Sequence, residues 1–192
     1  MELSNRSEGN TISGREKVPG SFKIEGVPNA DLPFDHVFKT EEISYDRIFR
    51  LVKKTVKSVL NKERTGIGLA LSNLPNRIGA YWQLGGNYIV MNETIINYMK
   101  SIAKSPEEFN SFLFAILTHE YLHSVGYINE LDARRVTAQV AKTAFGKDHA
   151  ATKLSSTDLW SMYPALLLLP DGDGSRMRII SNFDTDATSY IT

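Results

Sequence analysis

Thr118-His119-Glu120-Tyr121-Leu122-His123 lies inside a strongly apolar run over residues 109–126. Residues four apart share one face of a helix, so His119 and His123 aim two imidazoles at a single point. Glu120 follows the first histidine, which puts a carboxylate beside that point without making it a ligand. Two neutral nitrogen donors and an adjacent carboxylate describe a metal site equipped with a general base. Phe109, Phe112, Leu113, Phe114, Ile116 and Leu117 crowd the upstream turns, so the helix is expected to be buried. Unpartnered histidines and a glutamate would be costly there, and a cation held between them offsets that cost. The bland alternative is a helix that merely carries two histidines.

The boundaries of this helix are written locally. Ser105-Pro106-Glu107-Glu108 combines a serine cap, proline at the first helical position and a glutamate completing the capping box. The helix should run to about Val125, where Gly126 stops it. A further helix follows, with Leu131, Val136, Val140 and Ala144 on one side, ending near Gly146.

Upstream, residues 44–60 place Ile48, Val52, Val56 and Val59 at helical spacing, with Lys53, Lys54, Lys57 and Lys62 on a solvated face. Residues 66–74, 78–84 and 87–91 read as short strands, the last two joined across Gly85-Gly86, giving a small sheet of about three strands. Asn92 should cap a helix over 93–103. Residues 147–157 read as a polar connection, 158–169 as a short helix or turn, and 177–180 as a final strand. Residues 1–40 read as a flexible or loosely docked arm, in which Phe22, Ile24, Phe34, Val37 and Phe38 are candidates to lie against the domain. His36 reads as an incidental surface histidine. The expected organisation is therefore an arm over 1–40, one α+β domain over 41–170 and an extension over 171–192.

Composition narrows the chemistry. The chain has 192 residues, 42% of them hydrophobic, with formal net charge zero. That suits one domain with a sizeable core and gives no electrostatic case for nucleic acid or an acidic membrane. Tyr81, Trp82 and Tyr88 accordingly read as strand packing rather than base-stacking residues. Cysteine is absent, so metal ligands must come from His, Asp and Glu. The N-terminal residues lack a basic start and an apolar core, and no apolar run spans a bilayer, so a soluble cytoplasmic protein is expected.

A catalytic zinc site commonly takes three protein ligands. Four residues compete for the third place. Asn129 is a neutral amide better suited to capping the next helix, and Asp132 should point elsewhere. His149 has suitable chemistry but nothing local to fix its direction. Glu130, at the start of the helix after Gly126, is the favoured ligand; its other reading is a favourable helix-dipole charge.

These residues resemble a known superfamily. His119-Glu120-Tyr121-Leu122-His123-Ser124-Val125-Gly126 resembles the metzincin metalloprotease signature, and Ser161-Met162-Tyr163-Pro164 is similar to its methionine turn, making Met162 a floor for the metal. The family's third histidine falls where this chain has Asn129. A glutamate on the following helix is instead similar to the glutamate-ligand zincins, which supports Glu130. The resemblance covers about residues 85–165. It implies a small mixed sheet over an active-site helix and further helices, with an edge strand that pairs with extended peptide; residues 87–91 are the candidate strand.

The expected function is a zinc-dependent metallopeptidase with one zinc ion per chain held by His119, His123 and Glu130, acting on a peptide or protein substrate. Glu120 would serve as general base, and Tyr163 or Tyr127 as donor to the developing oxyanion. The alternatives are a non-catalytic metal-binding regulatory protein on the same scaffold, and a metal-free interaction protein.

Overall fold

A computed structural model of the chain describes residues 33–184. The elements run α1 (Pro33–Thr40), α2 (Tyr45–Leu60), β1 (Gly68–Ser72), β2 (Ala80–Trp82), β3 (Tyr88–Asn92), α3 (Glu93–Ile102), α4 (Pro106–Ser124), α5 (Glu130–Phe145), α6 (Ala150–Ser156) and α7 (Leu159–Met162). A 3-10 turn (Pro164–Leu168) and β4 (Met177–Ile179) complete them. This is an α+β fold: helices around α4, with one small mixed sheet of order β2-β3-β1-β4. Strand β1 is parallel to β3 and antiparallel to β4, and β2 is antiparallel to β3. No helix among the described residues is long and apolar enough to cross a membrane.

Local caps set the helices where the sequence places them. The Ser44, Asn92, Ser105 and Asn129 side chains accept backbone N–H groups at the starts of α2, α3, α4 and α5. Glu108 reaches back to the N–H of Lys104, one residue before the cap. Helix α4 is apolar around most of its circumference and occupies the centre: Phe112, Leu113, Phe114, Leu117, Tyr121 and Leu122 are all buried. Gly126, with φ +106°, then turns the chain back towards α5.

Several expectations are corrected. Residues 33–40 form a helix rather than a loose arm, while Phe38 lies against the domain as expected, buried against Phe114, Phe145 and His149. Buried Asn110 of α4 holds this segment: its Nδ2 donates to the carbonyls of Phe38 and Glu41, and its Oδ1 accepts from Ile43 N–H. Lys53 is buried against Asp184 instead of lying on the solvated face of α2. Residues 150–156 form α6 where a polar connection was expected. Residues 87–91 are not the edge strand, because β3 pairs on both sides; the sheet edge nearest α4 is β2. The expected final strand is present as β4, which joins the sheet, and Asp184 beyond it reaches the interior. Phe22, Ile24, the Phe34 side chain and residues 185–192 lie outside the described set.

Replacing Asn110 by Ala would leave one buried N–H and two carbonyls without their partner. Asn110→Ala is expected to lower unfolding stability by about 2–3 kcal/mol, read from urea denaturation midpoints at unchanged m-value.

Candidate metal centre

Two turns of α4 and the first turn of α5 build the centre. His119 Nε2 and His123 Nε2 stand 3.2 Å apart, with the rings perpendicular. Glu130 faces both, its two carboxylate oxygens lying 3.4 Å from His119 Nε2 and 3.3 Å from His123 Nε2. One ligand atom from each of the three residues lies within 4.8 Å of the others, so the group could hold a metal ion. The Gly126 turn and the Asn129 cap make this possible, because they start α5 with Glu130 directed back at α4.

The protonation states suit metal binding. His123 Nδ1 lies 2.7 Å from the Tyr127 carbonyl. A carbonyl only accepts, so Nδ1 carries the proton and Nε2 presents its lone pair to the centre. Burial lowers the His119 pKa, an effect only partly opposed by Glu130, which favours the neutral ligand form. Burial works against the Glu130 carboxylate. The hydrogen bond and the positive charge of Arg134 nevertheless hold its pKa below the usual range. Arg134 Nε donates to Glu130 Oε1 at 2.8 Å, and Nη1 lies 3.7 Å from Asp158.

Glu120 is only 4% exposed and faces the same cleft as His119, His123 and Glu130. Its carboxyl pKa is pushed up to about 8 by burial; a hydrogen bond from the Trp82 backbone N–H partly opposes this and the negative charge of Glu130 adds to it. A cation held by the three ligands would favour the carboxylate form. The cleft, about 690 Å³, runs between β2, α4, α5 and the α6–α7 segment.

Sequence candidates outside the centre are placed elsewhere. His149 caps α6, stacks on Phe145 and has Nε2 3.4 Å from Glu107. Glu107 precedes His119 by three helical turns, about 18 Å along the axis, so His149 cannot be the third ligand. Asn129 caps α5 and Asp132 pairs with Arg135. Tyr163 donates to Glu108, near the far end of α4, and the Tyr127 ring packs under Lys62, so neither reaches the cleft as an oxyanion donor. Met162 is 37% exposed and outside the cleft lining, so it provides no floor. The sequence reading missed Arg134, Trp82 N–H and the Tyr127 carbonyl. Only Arg134 carries a local signal, its four-residue spacing from Glu130.

The buried Glu120 makes the stability of the metal-free chain fall with alkalinity. Between the ordinary glutamate value of 4.5 and about 8 the folded chain keeps a proton that the unfolded chain releases. Its contribution is therefore fully present below pH 4.5 and lost as pH rises through about 8. His119, with its lowered pKa, acts in the opposite sense, losing its contribution as pH falls. The difference between wild type and Glu120→Gln isolates the glutamate: the wild type should lose roughly 5 kcal/mol more than the variant across that window. Equal slopes in chemical denaturation would contradict the buried protonated carboxyl.

Compared with known proteins, the chain matches no family model, no curated protein and no solved structure, so its functional reading rests on the residues of the centre.

Proposed function

We propose that the chain is a zinc-dependent metallopeptidase. The observation that carries this reading is the convergence of His119, His123 and Glu130 on one point, with Glu120 lining the same cleft. Two imidazoles and one carboxylate are a donor set that zinc accepts in catalytic sites, where a further position stays open. Such a site in a closed structural role has no use for an adjacent buried base.

His119, His123 and Glu130 would hold the ion, and Arg134 orients the carboxylate of Glu130. When bound, zinc would supply Lewis-acid polarisation of the scissile carbonyl and acidify a water molecule. Glu120 takes a proton from the attacking water and returns it to the leaving amine. Strand β2 offers the substrate a rail. Tyr81 is the residue paired with Val90 of β3, and Gly79 accepts from Asn92, so the main-chain groups of Ala80 and Trp82 point away from the sheet. The Trp82 N–H that reaches Glu120 has this outward direction. An extended peptide adding to that edge would lie beside the base, a recognised mode of peptide binding. Exposed Leu84 (70%) and Ile128 (64%) line the cleft and would meet apolar substrate side chains.

The test pairs metal content with activity. Protein purified without chelator should carry about one zinc per chain, lost in Glu130→Ala. Glu120→Gln should keep the zinc and lose at least about 100-fold in kcat against a dye-quenched casein. Zinc retained without peptidase activity in the wild type would favour the regulatory alternative, and full activity in Glu120→Gln would overturn the assigned base. Arg134→Gln should weaken zinc binding by about 10–100-fold in chelator competition, because a ligand carboxylate loses its orienting partner.

A further inference from the structure

Residues 62–64, in the connection between α2 and β1, reach the end of α4 from outside. Lys62 Nζ donates to the Val125 carbonyl, and Arg64 Nη1 to that of Ser124. These carbonyls belong to the C-terminal end of the helix, where cations are favoured. The Arg64 main chain is held as well: the Tyr121 hydroxyl accepts from its N–H at 2.7 Å and donates to its carbonyl at 3.0 Å. Tyr121 is fully buried and adjoins Glu120 in the chain.

The other side of the Arg64 guanidinium holds the β2–β3 turn. Nη2 donates to the Gly86 carbonyl at 2.9 Å and to Asn87 Oδ1 at 2.8 Å. The guanidinium lies 5.2 Å from the ring centre of Trp82, whose Nε1 donates to the same Gly86 carbonyl. Trp82 and Glu120 line the same cleft, where β2 packs on α4. One side chain thus joins the end of α4 to the strand that flanks Glu120 in the cleft. The acceptors lie in different directions, a demand that the planar fork of arginine meets and a single ammonium does not.

We propose that Arg64 is a positioning residue: by tying the β2–β3 turn to the last turn of α4 it sets the edge strand against Glu120 and the substrate rail against the ligands. It touches none of His119, His123 and Glu130, so its loss should leave zinc binding intact. The catalytic part of this role rests on the metallopeptidase reading; the positional part does not.

The experiment compares full-length wild type, Arg64→Lys and Arg64→Ala, each loaded with zinc and assayed well below its unfolding midpoint. Amide exchange at Trp82 should accelerate at least about tenfold in both variants, as the tie between helix and strand opens. With dye-quenched casein, kcat should fall about 100-fold at one zinc per chain, the scale expected when a reacting group is displaced by about 1 Å. Added guanidinium ion, at concentrations that leave the wild type unaffected, should restore part of the Arg64→Ala loss. Unchanged Trp82 exchange in Arg64→Lys overturns the proposal, and covers the case in which Arg64→Ala does not fold. Unchanged kcat with faster exchange also overturns it. A wild type that binds zinc and never cleaves would sink the peptidase reading alone, with Trp82 exchange still deciding the tie.

Discussion

The structure depends on one constraint: α4 runs through the apolar centre and yet carries two imidazoles and a carboxyl group in its last two turns. A buried helix tolerates such groups only where each finds a partner. His123 uses the Tyr127 carbonyl, Glu120 the Trp82 N–H, and both histidines face Glu130. Each partner comes from a different segment, so the turn after α4, the sheet edge and the start of α5 must all close on the same few ångströms. The fold around α4 is in this sense organised by its polar end as much as by its apolar body.

Electrostatics give the cluster its character. Two carboxyl groups share the cleft, and they are pushed in opposite directions: burial raises Glu120, whereas Arg134 keeps Glu130 ionised. Separating two acids in this way is how one site obtains both a ligand and a proton carrier. The ionised carboxylate is the more exposed of the two and sits beside the imidazole lone pairs. The protonated one is sealed under β2, where an added positive charge would release its proton towards the cleft.

Features encoded over a few residues were legible in the sequence. The caps at Asn92, Ser105 and Asn129, the spacing of His119 and His123, and the turn at Gly126 all act within one or two helical turns. That Glu130 rather than His149 would face the two histidines was legible for the same reason, since the glycine turn fixes where α5 begins. What escaped depends on distant partners. Lys53 looked solvated because Asp184, the residue that buries it, lies 131 positions away. Asn110 gave no sign that it would bind backbone groups near residue 40. Helix α6 was missed because its cap is His149, outside the usual set of capping residues. The edge strand was misassigned because the parallel pairing of β1 with β3 displaces β2 outward, and no local pattern reports which strand a crossover skips.

The most direct measurement is a crystal structure of zinc-loaded protein with anomalous scattering recorded on both sides of the zinc edge. The account predicts one strong peak about 2.0–2.2 Å from His119 Nε2, His123 Nε2 and a Glu130 oxygen, with Glu120 nearby and not coordinating. A peak at His149 and Glu107, a site lacking Glu130, or no peak at the α4–α5 junction would contradict it.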